Sequence, residues 1–140
     1  MKRYLTLGIK AALTLAFLAA GGAKLAGAEV MVQTFDAVGL GQWLRYVTGA
    51  IEIGGVILLW VPGLIGFGAG LLTATMAGAV LAHFLILGPS AVPALVLGTL
   101  SAYIAWTNRE DIPVFGLALN LQLNTNLNLA SETPSRGRVY

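Results

Sequence analysis

The 140-residue chain contains no cysteine, which excludes a disulfide framework, a thiolate metal site and a CxxC redox pair. Charge is nearly as scarce. Eight Lys and Arg and six Asp and Glu make up 10% of the residues, against about 25% in soluble domains, too few to coat the water-facing surface of a chain this size. Disorder is excluded for the opposite reason, because 57% of the residues are hydrophobic and the mean hydropathy is +0.82. A formal net charge of +2, with no run of Lys or Arg, gives a nucleic acid nothing to hold. What the chain has in quantity is glycine, with 18 residues, which suits membrane helices that approach one another closely.

Glu52 is the only formally charged residue between Tyr46 and Asn108. That interval is about three times the roughly 20 residues a helix needs to cross a bilayer core of about 30 Å. Breakers divide it at Val61-Pro62-Gly63 and again at Gly88-Pro89-Ser90, with Pro93 close behind. The expected spans are helix two at about 43–61, helix three at about 65–87 and helix four at about 91–107. Upstream, Tyr4 to Ala23 is apolar except for Lys10, whose stem can lie along lipid tails while its ammonium reaches the headgroups. Lys2-Arg3 followed by an apolar run and Ala26-Gly27-Ala28 also has the pattern of a cleaved signal peptide. Against cleavage, Gly8, Ala12, Ala16 and Ala20 form a four-residue stripe suited to packing, so helix one is retained. A similar stripe, Gly70, Ala74, Gly78 and Ala82, marks helix three.

These readings predict an all-α membrane protein: a four-transmembrane-helix antiparallel bundle with a short interfacial helix between helices one and two. The interfacial helix falls within Gly27 to Gln42, where Glu29, Gln33 and Asp36 mix with Val30, Met31 and Phe35. Residues 1–108 make the membrane domain, and 109–140 a polar cytoplasmic tail. In that tail LALNLQLNTNLNL, Leu117 to Leu129, alternates with a period of two, a strand template without a partner, so the expectation is disorder, a weak hairpin or pairing with another chain. Pro134 to Tyr140 reads as a flexible, mildly basic end. Lys2, Arg3, Lys10 and Arg109 place both termini in the cytoplasm.

Ionisable groups inside a membrane are expensive and are functional candidates by default. Glu52 lies roughly 13 Å below the outer surface of helix two, where a carboxylate must either carry a proton or face a polar partner. Arg45, Thr48 and Glu52 recur at helical spacing on one face. Arg45 is two turns away, too far for a direct pair, so a partner on another helix is expected. Lys24 continues the stripe of helix one, and His83 comes near the outer end of helix three. The expected constellation is a polar funnel in the outer half: Lys24 and Arg45 at the mouth, Thr48 and His83 lower, Glu52 at the bottom. Each has a plain alternative, a buried tie between helices for Glu52, an interfacial imidazole for His83, and snorkelling anchors for Lys24 and Arg45. One His and one Glu fall short of a metal-ligand set, and no hydroxyl has a neighbouring acid-base pair, so neither a metal nor a catalytic triad is assigned. Trp43, Trp60 and Trp106 fall at helix ends, where indoles favour the headgroup layer.

GGAKLAG (Gly21 to Gly27), MVQTFDAVGLGQWLRYVTGAIEIGG (Met31 to Gly55) and TMAGAVLAHFLILG (Thr75 to Gly88) together resemble the DoxX-like group of small bacterial membrane proteins. The similarity runs through about residues 5 to 108, with Lys24, the RYVTGAIE stretch and His83 in motif positions. The resemblance implies a four-helix protein of the bacterial inner (plasma) membrane and a loose redox association for Lys24, Arg45, Glu52 and His83. The group's name comes from a subunit linked to a thiosulfate:quinone oxidoreductase, and the Asn/Leu tail departs from the group's usual short end. The leading expectation is an accessory subunit of a membrane redox or envelope complex, partnered by lipid and by a membrane protein complex, with no independent catalysis. The alternative is a quinone-linked oxidoreductase subunit in which Glu52 and His83 relay protons and quinone is the cofactor. A small transporter ranks last, because the inner half offers only Thr73, Ser101 and Tyr103 for a polar path.

Overall fold

A computed structural model describes residues 2–88 and 90–132, and the regular secondary structure among them is all helical. Pro89 and the basic end from Pro134 to Tyr140 therefore lie outside the described residues. Six α-helices follow in order: α1 Lys2–Ala26, α2 Glu29–Val38, α3 Trp43–Leu58, α4 Ile65–Ala82, α5 Val92–Thr107 and α6 Pro113–Glu132. A π-helical turn, His83–Leu87, extends α4, and a 3₁₀ turn, Arg109–Asp111, follows α5.

The breakers act where the sequence puts them. α1 ends at Gly27, whose φ of 73° lets the Ala28 N–H return to the Ala23 carbonyl and its own N–H to that of Lys24. α2 ends the same way at Gly39, with φ 76°. Gly63, φ 79°, turns the chain between α3 and α4, and a proline at the start of α5 fits a position that needs no N–H.

α3 packs against α1 on one side and α4 on the other, α5 packs against α4, and α1 and α5 meet over a shorter stretch. Close approaches fix these as antiparallel neighbours. A Cβ on Gly21 would stand 3.1 Å from the Gly49 carbonyl oxygen, while at the far end of the same pair the Trp60 indole bonds Thr14. A Cβ on Gly68 would come within 2.7 Å of the Gly55 carbonyl oxygen, and one on Gly98 within 3.1 Å of Met76 Cβ. Glycine lets these backbones approach, so dispersion contacts and interhelical hydrogen bonds form at short range.

The core is formed by Leu13 and Phe17 of α1, Val56 and Leu59 at the end of α3, Ala69, Leu72 and Met76 of α4, and Ala94 and Ile104 of α5. α1 is thus part of the core. Its packing face is Leu13, Phe17 and Gly21, and the small-residue stripe expected to do this leaves Gly8 and Ala12 exposed. The stripe on α4 likewise turns out: Ala74 and Gly78 are exposed, and neither Gly70 nor Gly78 has a neighbour that a Cβ would meet. Large side chains won the inner faces because they bury more area per residue, with single glycines serving only at the crossings.

Outside this core the surface is apolar. Leu15, Phe84 and Leu85 are all more than 70% exposed, as only a nonpolar surrounding would favour. Two helices, Tyr4–Ala26 and Ile65–Leu87, are long and apolar enough to cross a membrane, and Val92–Thr107 is apolar but shorter.

The tail differs from expectation. Residues 113–132 form a helix, neither strand nor coil. Leu, Ala and Gln are good helix formers, and the segment from Leu117 to Leu129 holds a single β-branched residue, Thr125, so propensity outweighs the period-two pattern. On a helix that alternation spreads Leu around the axis, and Leu117, Leu121, Leu123, Leu127 and Leu129 are all exposed.

Candidate functional site

Among the described residues the buried polar and charged side chains are Arg45, Glu52 and Ser101. Ser101 donates to the Leu97 carbonyl of its own helix, 2.7 Å away, as Thr73 and Thr75 do to Ala69 and Leu71. These hydroxyls donate to their own backbones.

Arg45 and Glu52 belong to one cluster. The buried face of α3 carries Arg45, Gly49, Glu52 and Val56, three or four residues apart. Gly49 brings α1 close enough for Lys24 to reach across: its Nζ lies 2.9 Å from Glu52 Oε1 and 2.8 Å from Oε2. Glu52 is fully buried and Lys24 is 13% exposed, so a carboxylate that lipid or core would reject is matched by an ammonium held by a neighbouring helix.

Arg45 closes the cluster from above. Its Nη1 donates to the Lys24 carbonyl at the C-terminal end of α1, which also accepts the Gly27 N–H and lies where the helix carries a partial negative charge. Gly27 adjoins the guanidinium, at ordinary contact distance for a Cβ, and glycine is required there by the φ of 73° rather than by space. The guanidinium lies 4.2 Å from the Tyr46 ring centroid, and its Nε donates to Gln42 Oε1 at 2.7 Å. Gln42 in turn donates to Asp36 Oδ1 at 2.7 Å and to the Val32 carbonyl at 3.0 Å. A continuous polar column thus runs from the exposed Asp36 on α2, through Gln42 and Arg45, to Lys24 and the fully buried Glu52. No buried side-chain nitrogen or oxygen among the described residues lacks a partner.

Of the sequence-expected residues, Lys24, Arg45 and Glu52 are brought together. Thr48 turns back on its own helix, with its hydroxyl 2.9 Å from the Leu44 carbonyl oxygen and 3.2 Å from that of Arg45. His83 begins the π turn and makes no hydrogen bond or ion pair with the cluster; it lines a separate cleft of about 300 Å³ with Phe84, Gly88, Ser90, Ala91, Val92 and Leu95. The column itself is closed around its charges. Sequence reasoning missed Gln42 and Tyr46, for which the signal was present: Gln42 comes three residues before Arg45 and Tyr46 follows it, within reach of the guanidinium. From sequence Asp36 reads only as part of an interfacial face.

A family model described as the DoxX-like family matches residues 9–106, an interval that includes every member of this column. No curated protein and no solved structure matches the chain.

Proposed function

The chain belongs to the DoxX-like family, and on that premise we propose a bacterial plasma-membrane protein of four spans, α1, α3, α4 and α5, with both termini cytoplasmic. Its role is that of an accessory subunit in a membrane redox or envelope complex, and its working part is the polar column at the α2 end, in the outer half of the membrane. The observation that carries this reading is the Lys24–Glu52 ion pair with Arg45 above it, embedded in helices whose outer faces are apolar. A buried ion pair contributes little net stability, because desolvating both charges offsets their attraction, so two buried charged groups, Arg45 and Glu52, with the largely covered Lys24 argue for a specific task. Access runs past α2, which buries none of its residues and covers the column without being locked into the core. A ligand or partner carrying an acidic or carbonyl group would meet Lys24 and Arg45 there.

The test compares wild type with Glu52→Gln and Arg45→Gln, each purified in mild detergent. Loss of a co-purifying partner or of ligand-dependent thermal stabilisation supports the reading. Unchanged stability and unchanged co-purification in both variants would remove its basis.

One observation favours the quinone-linked alternative: His83 opens a π turn, a feature frequent at functional sites, and faces an apolar cleft. In that reading the Lys24 pair must open before Glu52 accepts a proton, because Lys24 occupies both carboxylate oxygens. Binding of a quinone analogue with a pH dependence that Glu52→Gln abolishes would distinguish it.

A further inference from the structure

Lys10 is a second charge within an apolar helix, and the polar column makes no use of it. Its Nζ stands 4.7 Å from the Trp60 ring centroid. The Trp60 indole N–H donates to Thr14 Oγ1 at 3.0 Å, and the Thr14 hydroxyl donates to the Lys10 carbonyl at 2.7 Å. The three side chains therefore form one unit that joins α1 to the turn after α3, with the indole fixed and the ammonium placed over it.

This unit sits at the end of the packed helices opposite α2, since Trp60 follows the last turn of α3. Among the described residues Lys10 has no carboxylate partner; the one ion pair is that of Lys24 and Glu52. At the same end, Glu110 and Asp111 belong to the 3₁₀ turn with Arg109, whose guanidinium lies 5.3 Å from the Trp106 ring centroid. Lys10 is thus a cation without a counter-charge, with exposed apolar surface on either hand: Leu7 one turn earlier on α1, and Val61 next to Trp60.

We propose that Lys10, Trp60 and Thr14 form a headgroup site for an anionic phospholipid. The phosphate supplies the missing counter-charge, and the acyl chains lie against the apolar surface beside Leu7 and Val61. An indole and an ammonium at the boundary of the hydrocarbon are the groups that hold a headgroup, and a net negative lipid satisfies the cation better than a zwitterionic one. The site shares with the function proposed above only the placement of the helices in a membrane and is independent of the polar column.

The experiment is native mass spectrometry of the full chain in mild detergent, with phosphatidylglycerol and phosphatidylcholine of identical acyl chains supplied at equal concentration. Wild type is expected to retain phosphatidylglycerol by about fivefold over phosphatidylcholine, the scale of one cation near an anionic headgroup. Lys10→Met should bring that ratio close to one, Lys10→Arg should keep it, and Trp60→Leu should lower it. A ratio unchanged in Lys10→Met overturns the proposal. So does displacement of the lipid by an equal concentration of inorganic phosphate, which would mark a free-anion site.

A second measurement covers the case in which Lys10→Met does not fold. In Trp43→Phe/Trp106→Phe protein, Trp60 is the remaining indole of the three. Phosphatidylglycerol brominated on its acyl chains should quench its fluorescence more than the equivalent phosphatidylcholine in vesicles. Equal quenching sinks the lipid site alone, whereas no quenching by either lipid sinks the membrane placement with it.

Discussion

Lys24→Met, Glu52→Leu and their combination test whether the pair behaves as a desolvated ion pair. Lys24→Met leaves the carboxylate of Glu52, fully buried, without its ammonium, and no other hydrogen bond from the described residues reaches it. Breaking a buried pair in this way costs about 3–5 kcal/mol. Glu52→Leu is milder, at about 1–3 kcal/mol, because Lys24 is 13% exposed and its long stem lets the ammonium move toward water. Arg45 keeps its acceptors in both variants, since the Lys24 carbonyl is backbone and Gln42 is untouched. The double variant replaces two desolvated charges with apolar groups of similar volume and should return to within about 1 kcal/mol of wild type. The assay is reversible unfolding in mixed micelles titrated with SDS, followed by circular dichroism. Two single variants that each cost less than about 1 kcal/mol and simply add in the double would refute the reasoning, because neighbours that share a buried interaction do not add.

Gly68→Ala should destabilise by about 1–3 kcal/mol in the same assay, because its Cβ would meet the Gly55 carbonyl oxygen and Leu58 Cβ at 2.7 Å; Gly70→Ala, on the outward stripe, should be near neutral. The cysteine-free chain is a ready background for single-cysteine labelling in intact cells with a membrane-impermeant maleimide. Cysteines at Gln33 and Ser90 should be labelled from outside and those at Val61 and Glu110 protected; labelling of all four, or of the opposite pair, contradicts the four-span orientation. Leu121→Pro should cost helicity by circular dichroism yet change the SDS midpoint by less than about 0.5 kcal/mol equivalent, because Leu121 and its described neighbours from Leu121 to Leu129 are exposed.

The helices were legible because charge and proline are so rare that each occurrence is informative. The sequence-expected limits of 43–61, 65–87 and 91–107 differ by few residues from α3, α4 with its π turn, and α5. That Glu52 needs a partner on another helix was legible, since an isolated acid among apolar residues is costly, but which one was not: the spacing sets Lys24 at the mouth with Thr48 and His83 nearer Glu52, whereas the long Lys24 side chain reaches down to the carboxylate itself. Which face of α1 turned inward was not legible. Gly8, Ala12, Ala16 and Ala20 satisfy a packing template, yet Leu13 and Phe17 offer more area to bury, and spacing alone does not rank the two. The tail was misread because period two is a pattern of faces, and with no sheet to receive a face, the helix-forming tendency of Leu, Ala and Gln decides. Gln42 escaped notice because its importance comes from spanning Asp36 and Arg45 on separate helices, a relation fixed by the turn at Gly39 to Gly41.

The most direct measurement is co-purification from native membranes with the Lys24→Met/Glu52→Leu variant, whose helices should be as stable as those of wild type. If the polar column serves recognition, this variant folds normally but loses the partner protein or bound ligand that wild type carries. A variant of undiminished stability that brings down the same partner and ligand in the same amounts would contradict the account.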